Sequence, residues 1–200
     1  GQSAALLLEH LPGLTFEQIL LNEPPKLLRK TLKHLQRTMT RIWDDTRSRR
    51  PVAADHMGQL GKRLEAVYAV HPEFRQGECR IGALPLPAFE ALIERAAALE
   101  ARLQAPFSVY IHGDFNLDNI LYDPVERRIN FIDLHRSRYM DYVQDVSVFM
   151  VSNYRLHVLD RPLRRRIHRV ARDFCAMARR FARKSGDTTF EIRLALALAR

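Results

Sequence analysis

The sequence predicts an α+β fold that is mostly helical and carries one small antiparallel sheet. Three observations lead there. Apolar residues recur at steps of three and four over several long stretches, the period of one helix face. Alternating runs rich in β-branched and aromatic residues are confined to Ser108–Asp133. Asp- and Asn-rich connections join those runs, which read as strand, tight loop, strand, turn and strand.

In chain order, Ala4–Glu9 is a short apolar run that Leu11, Pro12 and Gly13 end. Thr15 and Gln18 have the spacing of a capping box and open a short helix. Pro24 and Pro25 suit the first turn of the next helix. Its stripe of Leu28, Leu32, Leu35, Met39 and Ile42, extended by Trp43, is read as core. The charged segment Asp44–Arg50 breaks that helix before Pro51. Asp55 is placed to cap a helix with Leu60, Leu64 and Val67 on its buried side.

From His71 to Pro87, Gly77, Gly82 and three prolines predict a long loop, either mobile or part of an acceptor pocket. Pro87 begins a helix through Phe89, Leu92, Ile93, Ala96 and Leu99 that ends before Pro106. After Asp133, the stretch Leu134–Met140 reads as irregular. Asp141 and Gln144 then resemble a helix cap, and Tyr142, Val146, Phe149, Met150 and Asn153 line one face. Pro162 starts a helix through Lys184 that carries ten Arg or Lys residues against one acid, Asp173. Its apolar face is Val170, Phe174, Met177, Ala178 and Phe181. Thr188 and Glu191 are spaced to cap a last helix, still running at Arg200.

Two hundred residues, 46% of them hydrophobic and 28% charged, describe a globular chain with room for a sizeable core. No apolar run is long enough for a membrane span. Cys79 and Cys175 lie far apart without the spacing of a zinc site, and no basic region precedes a signal-like core. A reduced, cytoplasmic protein is expected. The net charge of +9 comes from 27 Arg and five Lys against 23 acids. Such a surplus can mark a nucleic-acid binder, but no aromatic residues are interleaved as stacking platforms. A solvated basic face is the preferred reading, and nucleic acid is not an expected partner.

The chemistry concentrates in Val109–Asp133. Pairing the two strands about a turn centred near Glu126 sets Ile120 opposite Ile132, Leu121 opposite Phe131 and Tyr122 opposite Asn130. Asn119 and Asp133 then face each other at the open end, two oxygen donors suited to a hard cation such as Mg²⁺. Asp114 lies in the loop five residues before Asn119 and can share that cleft without binding the metal. A carboxylate to accept a proton and two oxygen ligands are the parts that phosphoryl transfer uses. The ordinary alternative is that Asp114, Asn116 and Asp118 bond their own loop backbone, and Asp118 is assigned to that role.

His112, Asp114 and Asn119 have the kinase spacing His-x-Asp-x-x-x-x-Asn, with a metal-site Asp following at Asp133. The wording His112-Gly113-Asp114-Phe115-Asn116-x-x-Asn119-Ile120-Leu121, followed by Phe131-Ile132-Asp133, resembles the aminoglycoside phosphotransferase and choline kinase group. A Gly-Asp-Pro-x-x-Asp segment usual in that group is matched in part by Asp141–Asp145, with Met140 in place of the Gly and Val143 near the Pro. The resemblance implies the C-terminal lobe of a protein-kinase-like fold. It implies an ATP- and Mg²⁺-dependent phosphotransferase acting on a hydroxyl of a small molecule. By the same resemblance, Asp114 is the base, Asn119 and Asp133 hold the metal, His112 fixes the catalytic loop, and a buried Asp145 braces its backbone.

It also implies that residues 1–13 end a small N-terminal lobe and form a hinge, with Glu9, His10 and Leu11 against the adenine. Residues 14–200 would be the helical lobe, with the catalytic loop at 112–119. None of the eight glycines forms G-x-G-x-x-G, and no Lys lies in a strand-like run, so the nucleotide-clamping lobe is expected to lie outside this stretch. The basic segments after Asp145 favour a neutral or anionic acceptor over a polycation. Two other classes remain open at this point. One is a metal-dependent phosphohydrolase using His112, Asp114 and Asp133. The other is a catalytically silent module that binds an anionic partner through Arg161–Lys184.

Overall fold

The computed structural model describes residues 10–200. They fold in order as β1 (Leu14–Thr15), α1 (Phe16–Asn22), α2 (Pro25–Asp45), β2 (Val52–Ala53), α3 (His56–Val70), β3 (Cys79–Ile81), β4 (Leu84–Leu86) and α4 (Phe89–Glu100). Next come β5 (Gln104–Ala105), β6 (Val109–Ile111), β7 (Ile120–Asp123), β8 (Arg128–Phe131), β9 (Arg138–Met140), α5 (Val143–Tyr154), α6 (Arg161–Lys184) and α7 (Phe190–Ala199). Among these residues no helix is long and apolar enough to cross a membrane.

The long helices bury the stripes that their spacing predicts. Thr15 forms a full capping box with Gln18 at the head of α1. Pro25 opens α2, and Leu28, Leu32, Leu35, Met39 and Trp43 go into the core with Ile42 at its margin. Asp160 caps α6, its Oδ1 accepting from the Leu163 N–H at 2.8 Å. Val170, Phe174, Met177, Ala178 and Phe181 then pack inward. Phe149 of α5 stacks on Phe174 of α6 with ring centroids 4.2 Å apart, joining these helices face to face.

The strands make more pairings than the single sheet expected. β1, β7 and β8 form an antiparallel sheet in the order β1-β7-β8, and β2–β5, β3–β4 and β6–β9 are separate antiparallel pairs. The stretch Leu134–Met140, read as irregular, holds a 3₁₀ turn and strand β9, which pairs with β6 along its length. The β7–β8 register is one residue away from the expected one: Ile120 faces Phe131, Leu121 faces Asn130, Tyr122 faces Ile129 and Asp123 faces Arg128. The turn explains the slip. Asp123 Oδ1 accepts from the N–H groups of Val125 and Glu126 at 2.8 and 3.2 Å, and Arg127 takes a left-handed φ of 55°. That places the reversal between Val125 and Glu126, not on Glu126.

The segment His71–Pro87 is also more ordered than a loop. A 3₁₀ turn at Pro72–Phe74 leads into the β3–β4 hairpin, whose strands are almost wholly exposed. It hangs beside α3 and α4, which share a small second core of Met57, Leu60 and Leu196. Their apolar faces are shallower than expected, with Val67, Leu92 and Leu99 each about 40% exposed. Asp55 makes no capping bond. The buried Glu100 carboxylate accepts from the N–H groups of His56 and Met57 at 2.8 and 2.9 Å instead, so α4 caps α3.

The last helix is locked by charge. Arg193 is fully buried and bonds both Asp141 and Asp187, while the Tyr142 hydroxyl donates to Asp187 at 2.7 Å. Asp141 therefore serves as an anchor, not the expected cap of α5, although its Oδ1 also accepts from the Val143 N–H at 3.0 Å. The Thr188–Glu191 box does not form either: Asp187 accepts from the Thr189 N–H at 3.1 Å, and Glu191 pairs with Arg179.

His56 gives a pH prediction. Its ring is 1% exposed, and neither ring nitrogen has a partner. Burial, with Arg200 and Arg193 nearby, pushes it from the ordinary 6.5 down to about 4. The unfolded chain then takes up this proton first, so stability should fall as pH drops from 6.5 towards 4, by a few kcal/mol. The denaturant midpoint of His56→Phe should lose that part of the acid sensitivity. Equal midpoint shifts between pH 7 and pH 4.5 in both proteins would reject the assignment.

Candidate active site

The loop between β6 and β7 is built from the inside. Phe115 is fully buried and meets Phe131, Phe149 and Phe174 at ring-centroid distances of 5.7 to 5.9 Å. It anchors the loop to the main core, so the polar residues on either side of it are carried by a fixed backbone. Gly113 turns the chain out of β6 with φ of +85°, and a Cβ there would meet the Arg136 carbonyl oxygen at 2.4 Å. Only glycine fits.

Asp145 sits beneath this turn, fully buried in the first turn of α5. Its Oδ2 accepts from the His112 N–H at 2.8 Å and its Oδ1 from the Gly113 N–H at 2.9 Å. Burial pushes its carboxyl up to about 7, against these two donors, which favour the anion. Ser137 Oγ donates to the His112 carbonyl at 3.1 Å. Gln144 Nε2, one residue before Asp145, reaches the Gly113 carbonyl at 3.4 Å. Ser152 Oγ accepts from the Leu117 N–H at 3.2 Å, tying the far side of the loop to α5.

His112 is held at both ring nitrogens. The Asp114 N–H donates to Nδ1 at 3.3 Å, so Nε2 carries the proton and donates to the Ile132 carbonyl at 2.9 Å. Burial lowers its pKa, which keeps the ring neutral in this tautomer. Both nitrogens are therefore committed to the loop, and the phosphohydrolase reading, which needs His112 as a metal ligand, has no free nitrogen to use. Among the described residues no three His, Cys, Asp or Glu side chains gather as a metal-binding group.

Asp114 keeps its carboxylate at the surface of the cleft, with its side chain 23% exposed. Asn116 Nδ2 donates to its Oδ1 at 2.7 Å, and Arg136 Nη1 stands 3.7 Å from its Oδ2. Asn119 Nδ2 donates to the Asp114 carbonyl at 2.9 Å, which leaves the Asn119 Oδ1 as an acceptor. The one-residue shift in register alters the other half of the expected pair. Asn119 bonds Ile132 through the backbone at 3.1 Å, and Asp133 lies one residue beyond the ladder in a left-handed turn with φ of 59°. Its Oδ1 meets His135 Nδ1 at 2.5 Å.

The described residues thus bring Asp114, His112, Asn119 and Asp145 into one hydrogen-bonded unit, with Asp133 at its edge. Glu9 lies outside the described residues, while His10 is exposed and Leu11 half-buried just before β1. Asn116, expected either in the motif or as a self-bonding loop residue, donates to Asp114 instead, whereas His135, Arg136, Ser137 and Ser152 were not singled out from the sequence. His135 and Arg136 lie within three residues of Asp133, a proximity that could have flagged them. Ser152 gave no such signal.

Asp118 departs from its expected role as a self-bonding turn residue. It is exposed and lines a groove of about 330 Å³ with Glu17, Asn116, Ser152, Arg155 and His157. That groove adjoins Asp114 through Asn116. The exposed hairpin of residues 71–87, once a candidate for an acceptor pocket, contributes nothing to it.

A helical lobe with a catalytic-type loop on a short strand, braced from below by a buried Asp on the following helix, defines a kinase-like fold. It is the C-terminal lobe of that fold. The family model described as "APH: Phosphotransferase enzyme family" matches residues 1–184, and the chain belongs to that family. Among solved structures it is similar to glucosamine kinase, at a TM-score of 0.53 and 18% identity over 92% of this chain and 50% of that one. The same kinase in complex with glucosamine, ADP and inorganic phosphate aligns at 0.50 and 19% identity, over 92% and 49%. An aminoglycoside phosphotransferase from Streptomyces rimosus, in complex with ADP and streptomycin, gives 0.46 and 21% over 87% and 64%. The chain spans about half the length of the glucosamine kinase it matches. No curated protein matches it in sequence.

Asp145 supplies a test of the loop's construction. In Asp145→Asn, the amide NH₂ must face one of the two backbone N–H donors, at a cost of about 1–3 kcal/mol. Amide hydrogen exchange at His112 and Gly113 should speed up selectively. Unchanged protection at both amides would show that the carboxylate does not hold the turn.

Proposed function

We propose that this lobe carries the catalytic residues of a phosphotransferase that moves the γ-phosphoryl group of ATP to a hydroxyl of a small molecule. The observation that carries the reading is Asp114 itself, a cleft carboxylate on a loop fixed from below by Asp145 and from inside by Phe115. A proton acceptor must be aimed before it is useful, and here Asn116 orients one oxygen while leaving it open to the cleft.

Asp114 takes the proton of the acceptor hydroxyl as that oxygen bonds to phosphorus and the bond to the ADP leaving oxygen breaks. His112 acts only through the backbone, holding Asp114 and Ile132 together. The Asn119 Oδ1 and the Asp133 carboxylate, whose Oδ1 lies against His135, would be the protein's oxygen ligands, which suit Mg²⁺ better than a softer metal. With ATP, Mg²⁺ would supply neutralisation of the phosphate charge. ADP in the similar glucosamine kinase supports a nucleotide donor. The Gly-rich loop and strand Lys that complete such a site are proposed to lie outside these 200 residues. The hinge role of Glu9, His10 and Leu11 and a cytoplasmic setting belong to the same proposal.

The groove beside Asp114 is the natural seat for the acceptor. It sets two acids, Glu17 and Asp118, against Arg155 and His157, with Asn116 and Ser152 between them. With two acids and one Arg the lining offers no dense acidic cage for a polycation, and a neutral, hydroxyl-rich acceptor, or an anionic one held through Arg155, is the proposed substrate. The many arginines of α6 do not line this groove, so the preference rests on the groove and not on net charge.

In a protein that includes the nucleotide-clamping part, Asp114→Asn should lower turnover by about 10²–10⁴-fold while nucleotide affinity is retained. Near-full activity in that variant would sink the kinase reading. Acceptor choice gives a second test, by coupled ADP release over neutral sugars, sugar phosphates and kanamycin-like polycations. Arg155→Ala should raise KM for sugar phosphates about tenfold and leave neutral sugars nearly unchanged, the loss expected for one exposed charged contact. Preference for the polycations in the parent protein would overturn the charge assignment.

A further inference from the structure

A groove lies well away from the loop that carries Asp114. It follows the seam where α2 and α6 run side by side in the same direction. Gln36 Nε2 donates to the Asp173 carbonyl at 3.0 Å, Thr40 Oγ1 to Met177 Sδ at 3.4 Å, and Lys184 Nζ lies 3.3 Å from Asp44. Two cavities open along it. One of about 320 Å³ lies at its head, floored by Leu28, Leu32 and Val170. The other, of about 610 Å³, lies further along over Met177 and Phe181.

Both walls are basic, and in a regular way. On α2, Arg29, Lys33, Arg37 and Arg41 recur every fourth residue, which stacks them in one row on the helix surface. All four are exposed, Arg29 lining the first cavity and the other three the second. On α6, Arg165 and Arg169 face the first cavity and Arg180 the second. Among the described residues, Arg29, Lys33, Arg37, Arg165, Arg169 and Arg180 have no acid within salt-bridge distance. Asp173 is the one acid lining the first cavity, and ion pairs form only at the far end, where Arg41 pairs with Asp45 and Lys184 with Asp44. A row of like charges at this spacing costs stability in the isolated lobe. The catalytic reading uses none of it.

We propose that this seam is a docking groove for an acidic, amphipathic helical segment of a partner protein. The two basic walls would take acids on the helix's flanks and supply most of the hold, while the floor, whose Leu28, Leu32, Val170, Met177 and Phe181 are each less than 10% exposed, would meet only the tips of its apolar stripe. The head-to-middle portion, from Leu28 to Thr40, spans about 18 Å, enough for three turns of such a helix. Single-stranded nucleic acid fits less well. Among the described residues lining the groove Phe181 alone is aromatic, so there is no series of stacking platforms for successive bases. A lipid surface fits less well too, since no apolar side chain stands proud of the seam to enter it.

The test uses the 200-residue chain and three fluorescent probes: a Leu/Glu amphipathic helical peptide, an oligo-dT strand and phosphatidylserine vesicles. A Leu/Gln version of the peptide is the uncharged control. Anisotropy should show saturable binding of the Leu/Glu peptide, stronger than the control and weakening as salt rises. Arg29→Glu with Arg37→Glu on one wall, and Arg169→Glu on the other, should each cut affinity at least about tenfold. Arg29→Gln with Arg37→Gln serves where charge reversal disturbs folding, and thermal unfolding followed by circular dichroism identifies that case. The proposal is overturned if the Leu/Glu peptide binds no better than its control, if the wall variants keep full affinity, or if the strand or the vesicles bind and the peptide does not. Asp114→Asn should leave peptide binding untouched, which separates this groove from the catalytic assignment.

Discussion

The contact on which the site depends is the grip of Asp145 on the His112 and Gly113 amides. A buried carboxylate is costly unless it is hydrogen-bonded, and here each oxygen takes one backbone N–H. In return the turn out of β6 is fixed at the two residues preceding Asp114. Gly113 must sit in its left-handed conformation for both amides to point down at once. Its carbonyl and that of His112 are then taken by Gln144 and Ser137. Every polar group of the turn is thus occupied by protein, and the Asp114 side chain is the one left facing the cleft.

Asp145 can do this only if α5 is itself immobile. Asp141 stands one helical turn ahead of it, and Arg193 of α7 binds Asp141 and Asp187 together in the interior. The cluster has two carboxylates to one guanidinium, with the Tyr142 hydroxyl donating to the second acid. Such a group contributes less to net stability than well-packed apolar residues would, but it allows only one register between α5 and α7. Burial pushes the Asp141 carboxyl up while Arg193 opposes it. Phe190 stacking on Tyr142 at 5.8 Å adds an apolar clamp to the same junction. The last helix thereby sets the height of the residue that fixes the loop carrying Asp114.

The sequence was most informative where one face of an element is deeply buried. The stripes of α2 and α6 specify both helix and orientation, because a displaced Leu35 or Phe174 would leave a cavity in a packed core. The loop from His112 to Asn119 was legible because its residue types are set by a backbone with a single workable shape. It was harder to read elements whose burial is shallow. The β3–β4 hairpin has almost nothing to bury, so its apolar alternation is weak and its Pro and Gly content looks like loop. The β7–β8 register turned on a hydrogen bond from a turn residue, Asp123, which no apolar pattern encodes. The capping of α3 by Glu100, and the hold of Arg193 on Asp141, come from partners 40 or more residues away. Local spacing cannot report them.

Charge follows the same division. Summed over the chain it is strongly positive, yet the region around Asp114 holds both signs, with Arg136 3.7 Å from Asp114 and with Glu17, Asp118 and Arg155 lining the adjoining groove. The surplus lies along α2 and α6 on a different set of side chains. At physiological salt, exposed charges are screened beyond about 8 Å, so the two regions need not feel each other. One lobe can therefore carry a cleft of mixed charge and, on another side, a strongly basic face. Composition records only their sum, and the chemistry of each face has to be read from which residues share it.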